Sequence, residues 1–218
     1  MRNKFDKQLD RLNVELIDMG QLCEVAIGKA TKALEKDSEE IAKEVISADA
    51  EIDQKEKEIE QLCLKLILQQ QPVAKDLRQI SAALKMITDM ERIGDQASDI
   101  AEIILSAEIK DTRAIPEIVK MASAASAMVR SSVMAYVNKD LDLAKKVLEA
   151  DDKVDNMFDN IKHKLIEFIA KEGGNQGEDV IDFLMIAKYL ERIGDHATNI
   201  AEWVEFSITG IHRSEEVI

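Results

Sequence analysis

The sequence predicts an all-α fold, built as two tandem, sequence-similar three-helix bundles (six long antiparallel helices) packed side by side. Apolar residues recur at helical spacing over most of the chain, and only two prolines and eight glycines interrupt its 218 residues. One acidic phrase also occurs twice. It reads MERIGDQASDIAE at residues 90–102 and LERIGDHATNIAE at residues 190–202, with nine of thirteen positions identical. Repetition of this kind indicates a duplicated structural unit.

The first three helices follow from apolar spacing and terminal residues. Helix one is predicted from the apolar residues between Leu9 and Ala30, which mostly recur every three or four positions. Helix two starts around Ser38, whose hydroxyl can cap the first turn, and runs to about Gln70. Pro72 marks a turn and suits the opening of helix three, which continues past residue 102.

The next three helices repeat this arrangement. Pro116 lies near the start of helix four, and helix five opens around Asp140 and ends at GGNQG, residues 173–177. Helix six runs from about Glu178 to Ser207. We expect about 30 residues in each helix, or ~45 Å at about 1.5 Å per residue.

The duplication extends beyond the acidic phrase. KDSEEIAKEVISADAEID at residues 36–53 parallels KDLDLAKKVLEADDKVD at residues 139–155. We therefore place the two bundles at residues 1–110 and 111–218.

Charge and composition exclude several classes of function. The net charge of −14 is spread over both halves: residues 1–109 hold 15 basic and 23 acidic residues, and residues 110–218 hold 14 and 20. Such a distribution disfavours nucleic acid as a ligand.

No apolar run approaches the roughly 18 residues of a membrane span, and the N-terminus lacks a signal core, so we expect a cytoplasmic protein without membrane insertion. Cys23 and Cys63 are expected to be buried free thiols.

The repeated phrase places carboxylates on a stripe away from the core face of helix three and of helix six. A second acidic pair lies on the preceding helix of each copy. Glycine inside a helix costs about 1 kcal/mol relative to alanine, so Gly94 and Gly194 suggest close approach of a helix or ligand. The candidate ligands are Asp49, Asp53, Glu91, Asp95 and Asp99 in copy one, and Asp151, Asp155, Glu191, Asp195 and Asn199 in copy two.

Counting from the turns places the four copy-one carboxylates at matching levels on antiparallel helices. In copy two the same count places the two acidic pairs about four residues apart in height, roughly 6 Å, unless helix six starts inside GGNQG. Four converging carboxylates form an oxygen-rich site suited to Mg, Mn, Ca or iron. A single acidic pair is more often solvated surface, so both interpretations stay open. Arg92 and Arg192 are expected to form salt bridges with acids rather than to contact a ligand.

Motifs for catalysis are missing from the sequence. No Glu precedes any of the three histidines by three residues, which disfavours a ferritin-like di-iron site. The sequence also contains no phosphate-binding glycine loop and no nucleophile motif. A metal-dependent phosphoesterase would need basic groups that nothing here supplies.

The doubled phrase ERIGD-x-A-x-[DN]-IAE resembles the PhoU family of bacterial and archaeal phosphate-transport regulators. The resemblance covers essentially the whole chain, including MRNKFDKQLDRL and QQQPVAKDLRQISAALK. It implies two three-helix bundles and a cytoplasmic, non-catalytic role in negative regulation of the phosphate-starvation response. The implied partners are the ATPase subunit of the phosphate ABC transporter and a sensor histidine kinase. The long apolar-striped helices and the nine methionines separately favour self-association, which we expect as a homodimer.

The resemblance also implies metal clusters at the E/D-x-x-x-D motifs formed by the candidate ligands named above. The expected cofactors are divalent or ferric ions, namely Mg, Mn, Fe or Zn. Asp99 extends the first site in this interpretation, whereas Asn199 is a neutral and weaker ligand in the second. A metal-dependent phosphoesterase and a metal-free helical adaptor remain the alternatives.

Overall fold

The computed structural model describes residues 2–70, 72–107, 114–172 and 177–211. Within these ranges the chain forms six α-helices and no β-strand, which confirms the predicted all-α class. None of the described helices is apolar enough to cross a bilayer. The helices are α1 (Arg2–Lys36), α2 (Glu39–Gln70), α3 (Ala74–Ser106), α4 (Ile115–Asn138), α5 (Leu141–Glu172) and α6 (Gly177–Thr209).

Polar caps and left-handed residues set the turns between helices one and two of each copy. The backbone N–H of Ile41 donates to Ser38 Oγ at 3.4 Å, and that of Leu143 donates to an oxygen of Asp140 at 2.9 Å. The turn in each copy contains one residue with positive φ: Asp37 has a φ of 50° in copy one, and Lys139 has a φ of 55° in copy two. The two copies therefore reverse the chain in the same way.

Helix α4 is shorter than predicted. It holds 24 residues, against 32 to 35 in the other five helices. Pro116 lies in the first turn, where its fixed φ suits a helix start and its missing N–H costs no hydrogen bond. The expectation of about 30 residues per helix is therefore wrong for α4.

The helices pack as two bundles. Helices α1, α2 and α3 contact one another, and α4 contacts both α5 and α6, which also pack together; the bundles meet along α1 with α4 and α3 with α6. The core is aliphatic, and both cysteines are buried and unpaired, as predicted. Burial raises the pKa of the Cys23 and Cys63 thiols to about 12, so both stay protonated at neutral pH.

Polar contacts show that α3 and α6 run antiparallel along their shared seam. An oxygen of Asp89 accepts a hydrogen bond from Asn199 Nδ2 at 3.0 Å and lies 2.9 Å from Nδ1 of His196. Asp99, farther along α3, lies close enough to Tyr189, which lies earlier in α6, for the Tyr189 hydroxyl to lower the pKa of that carboxyl. The contacts 89 to 199 and 99 to 189 are equivalent under the repeat of 100 residues. An approximate two-fold axis therefore relates the copies and places the middles of α3 and α6 side by side.

Candidate functional site

In copy one, α2 and α3 bring their carboxylates together as predicted. Burial raises the pKa of Asp49 to about 6, with further contributions from repulsion by Asp95, Asp53 and Asp99. Burial, followed by repulsion from Asp95, also raises the pKa of Glu91. Repulsion from Asp53 adds to this increase. These mutual repulsions show that four acidic side chains from two helices share one patch.

Copy two forms the equivalent patch between α5 and α6. Burial, then repulsion from Asp155 and Asp195, raises the pKa of Asp151 to about 6. Burial and the nearby Glu191 raise the pKa of Asp155. Asp151 therefore faces Asp195, and Asp155 faces Glu191. The four-residue slip suggested by counting does not occur, and α6 begins at Gly177.

The repeated glycines explain how close the helices come. A Cβ atom built on Gly94 would lie 3.0 Å from Asp49 Oδ1 and 2.8 Å from Ile52 Cδ1. At Gly194 the same construction gives 3.5 Å to Oδ1 of Asp151. Each glycine thus leaves room for a carboxylate against the backbone of the adjacent helix. The prediction of a close approach at these positions is confirmed.

One carboxylate oxygen in each patch lacks a hydrogen-bond donor. Oδ1 of Asp49 and Oδ1 of Asp151 are shielded from solvent, and no described residue donates to them. A shielded carboxylate without a donor or counter-charge is costly, which is why both pKa values are high. A bound cation would supply the missing charge, so the donor set fits a hard metal ion.

The patches are not preformed metal sites. Within the described ranges, no three His, Cys, Asp or Glu side chains lie close enough together to hold an ion as they stand. An ion would draw in side chains from both helices.

Asp99 and Asn199, predicted to extend the two sites, take part in the seam. Asp99 repels Asp49 and Asp95 of the copy-one patch and also lies beside Tyr189 of α6, whose hydroxyl lowers its pKa. The amide of Asn199 donates to Asp89 of α3. Asp89 and Tyr189 were not among the residues predicted from the sequence. Their equivalence under the 100-residue repeat, ten positions before Asp99 and Asn199, was the available signal.

Basic side chains partly neutralise each patch. Arg92 lies 3.5 Å from Glu91 and 3.9 Å from Asp95, which confirms the expected salt bridge. In copy two the ammonium group of Lys188 donates to Glu191, a contact that sequence analysis missed. Arg192 instead lies over the ring of Tyr189, 5.8 Å from its centroid. The two patches therefore differ in the position of their cationic neighbour.

The close approach at the glycines predicts different outcomes for two matched substitutions. Gly194→Ala should raise the free energy of unfolding by up to about 1 kcal/mol, because alanine is the better helix former and its Cβ, 3.3 Å from Val154 Cγ1, needs that methyl group to move by only a few tenths of an ångström. In Gly94→Ala the overlap with Ile52 forces repacking that costs about 1–3 kcal/mol and cancels or exceeds this gain. Urea unfolding of both variants measures the difference. Equal stabilisation of both would contradict the packing described here.

Comparisons with known proteins identify the family of the chain. The family model described as "PhoU domain" matches residues 16–104 and 118–204. The chain is 41% identical over 212 residues to the "Phosphate-specific transport system accessory protein PhoU homolog" of Clostridium acetobutylicum, covering 96% of each.

Two solved structures share the fold. The crystal structure of PhoU from Pseudomonas aeruginosa has 31% identity and a TM-score of 0.86, and the match covers 95% of this chain and 100% of that one. The phosphate transport system regulatory protein PhoU from Streptococcus pneumoniae has 25% identity and a TM-score of 0.88, with coverage of 95% and 98%. The duplicated domain, the doubled phrase and these matches show that the chain belongs to the PhoU family.

Proposed function

We propose that the chain is a cytoplasmic, non-catalytic regulator of phosphate uptake whose two acidic clusters bind metal ions. Its relatives are named as accessory or regulatory proteins of phosphate transport, which supports regulation and weighs against the phosphoesterase alternative. The observation that carries the metal proposal is the pair of donor-less, shielded oxygens, one at Asp49 and one at Asp151. They occupy equivalent places in both copies.

Each cluster would hold its ion with carboxylates from two helices. The residues are Asp49, Asp53, Glu91 and Asp95 in copy one, and Asp151, Asp155, Glu191 and Asp195 in copy two. Mg, Mn, Fe or Zn ions would supply positive charge and bind α2 to α3, and α5 to α6. Such cross-linking stiffens one face of each bundle, because separating the helices would expose the carboxylates to repulsion again.

The regulatory step in this proposal is contact rather than turnover. The face that carries both clusters docks on the ATPase subunit of the high-affinity phosphate transporter and on a sensor histidine kinase, and negatively regulates the phosphate-starvation response. Bound metal fixes the side chains of that face or bridges to the partner. Self-association as a homodimer is part of the same proposal, and sedimentation of the purified chain tests it.

Removal of one carboxylate from each cluster tests the docking step. Asp95→Ala plus Asp195→Ala is expected to reduce recovery of both partners in a pull-down by about tenfold, since the acidic face loses charge and ion affinity. The matched control is Glu51→Ala plus Glu149→Ala, which removes the same charge from exposed positions on α2 and α5. Undiminished recovery with the cluster variant, or equal loss with the control, would contradict docking through the clusters.

A metal-free helical adaptor is the second candidate. It is favoured by the lack of three converging ligands in the described ranges. The two candidates differ in metal content: the adaptor retains partner recovery after exhaustive chelation, whereas the metal-binding regulator loses it.

A further inference from the structure

A groove lies between helices α4 and α5 and contains a cavity of about 180 Å³. Residues 114–172, which form both helices and the turn between them, are all described, so both walls of the groove are complete. An apolar cavity of roughly 150 Å³ accepts a ring the size of benzene, so this groove has room for one large apolar side chain. Small and aliphatic side chains line most of it: Ala124, Ala127 and Ser131 from α4, and Leu143, Val147 and Ala150 from α5.

Copy one fills the equivalent space with its own side chains. With an offset of 102 residues, the three α4 residues of the groove align with larger residues of α1, namely Leu22, Val25 and Lys29. Leu22 packs against the core, and the ammonium group of Lys29 lies 2.7 Å from a carboxylate oxygen of Glu44 on α2. The groove of copy two is open because α4 carries small side chains at these three positions.

The charge beside this space is also reversed between the copies. The charged residues that line the groove in the described part of the chain are Lys146 and Lys153 of α5, and their equivalents in copy one are Glu44 and Glu51. Both lysines are exposed, and no described acid forms an ion pair with either of them. The groove of copy two is therefore basic within a chain whose net charge is −14.

Acidic residues near the groove do not cancel this charge. Helix α4 contains a single acidic residue, Glu117, which accepts a hydrogen bond from Lys164 of α5. Glu149 and Asp152 of α5 are exposed, but they do not line the cavity. The two lysines are thus the charged groups that an occupant of the groove would meet first.

An acidic amphipathic helix complements both properties of the groove. Its carboxylates would pair with Lys146 and Lys153, whereas the acidic remainder of the surface repels it. A groove between two helices accepts the apolar face of a third helix, whose side chains enter at every third or fourth position. Leu22 and Val25, three positions apart, show the size and spacing that fill this place in copy one.

The groove is separate from the acidic cluster of copy two. Helix α5 packs against both α4 and α6. The cluster residues Asp151 and Asp155 face Asp195 and Glu191 of α6, whereas the groove lies on the side of α5 that faces α4. An occupant of the groove therefore leaves the cluster accessible to a metal ion.

We propose that this groove binds an acidic amphipathic helix of a partner protein. The helix spans about ten residues, because the α5 wall from Leu143 to Lys153 is ~15 Å long. It places leucine-sized side chains against Ala124 and Ala127 and directs Asp or Glu toward Lys146. The proposal goes beyond the regulatory function proposed above and does not depend on metal ions.

A designed peptide, EELLEELLEELLEE, is the probe. A hydrocarbon staple on its acidic face keeps it helical, since isolated helices of this length are marginal in water. Fluorescence anisotropy with the labelled peptide and the full chain, at about 0.15 M salt, is expected to give a dissociation constant of roughly 10–100 μM. A peptide of the same composition without an apolar face should bind at least about tenfold more weakly, because its leucines cannot enter the groove together.

Variants that carry the residues of copy one show whether the peptide occupies this groove. Ala124→Leu plus Ala127→Val fills the cavity, and Lys146→Glu plus Lys153→Glu reverses its charge; each pair should weaken binding by about tenfold or more. The matched control is Lys57→Glu plus Lys65→Glu, the same charge change at exposed positions of α2, which should bind within about twofold of wild type. Circular dichroism confirms that each variant folds.

Three results would overturn the proposal. The first is equal binding of the two peptides by the wild-type chain, and the second is wild-type affinity in the cavity-filling variant; Ala127→Val alone retains this comparison if the double variant does not fold. The third is a groove already occupied by the chain itself. Sedimentation would then show a wild-type dimer that the cavity-filling variant converts to a monomer, or the peptide would bind only after removal of residues 212–218.

Discussion

Addition of a divalent cation to the metal-free protein is expected to raise its unfolding temperature by about 5–10 °C for each cluster that binds an ion. A ligand present at 100 times its dissociation constant stabilises a protein by about 2.7 kcal/mol per site. For a chain of this size, each kcal/mol shifts the midpoint by about 2–4 °C. The physical source is relief of repulsion among the carboxylates around Asp49 and those around Asp151. Differential scanning calorimetry after chelation and dialysis measures the shift, with Mg, Mn, Zn and ferrous ions tested in turn.

The cluster variants assign this stabilisation to its site. Asp95→Ala plus Asp195→Ala should show almost no cation-dependent shift, while Glu51→Ala plus Glu149→Ala should keep the wild-type shift. An increase of the same size in all three proteins would mean that the ions act on the general acidity of the surface, and the clusters would have no special role.

The second large effect is an increase in stability as the solution becomes more acidic. In metal-free protein, the free energy of unfolding should increase when the pH is lowered from 7.5 to about 5. Asp49 and Asp151 both have a pKa of about 6 in the folded protein, against 3.8 as the ordinary value. A carboxyl with a raised pKa binds its proton more tightly in the folded state. The free energy of unfolding therefore falls as the pH rises from 3.8 to about 6, and it stays low above pH 6.

The size of the effect follows from the shift and from the exposure of both groups. Two pKa units correspond to about 3 kcal/mol per group, which solvent screening at partly exposed positions reduces to about 1–2 kcal/mol. Below about pH 4.5 the trend reverses, because salt-bridged acids such as Glu15 and Glu117 have lowered pKa values and lose their stabilising charge there. A stability maximum near pH 5 is therefore expected.

Asp49→Asn plus Asp151→Asn provides the control for the pH series. The amides cannot ionise, so this variant should be more stable than wild type at pH 7.5 without metal, and its stability should change less than that of wild type between pH 5 and 7.5. Any residual slope reports the carboxyls that keep a raised pKa, such as Glu91 and Asp155. A wild-type protein that loses stability steadily from pH 7.5 to 5 would contradict the described burial of the two carboxylates.

Most of the fold could be predicted from local sequence signals. Ser38 and Asp140 mark helix starts through their capping oxygens, and the spacing of the apolar residues is helical throughout. The length of α4 was not predicted, because Pro116 shows where a helix can start but not how much of the preceding segment belongs to it. The pairing of the two bundles also required the three-dimensional structure, since seam contacts such as Asp89 with Asn199 join residues more than 100 positions apart.

The acidic clusters could be predicted because duplication distinguishes them from ordinary surface charge. The register and the ion pairs within each cluster could not be predicted. The register of copy two depends on the GGNQG segment, of which residues 173–176 lie outside the described residues, and counting across it gave a slip that the pairing of Asp155 with Glu191 excludes. The salt bridge of Lys188 to Glu191 was not predicted, although the two residues lie three positions apart on α6, a spacing that brings side chains together on a helix.

Metal content of the purified chain tests the central claim most directly. Protein prepared without chelator is submitted to calibrated elemental analysis beside the Asp95→Ala and Asp195→Ala single variants. We expect at least one ion for each bundle in the wild type, with each variant losing the share of its own bundle alone. A wild-type chain that carries no metal, and takes up none from millimolar solutions of the candidate ions, would show that these paired carboxylates have no ion to hold.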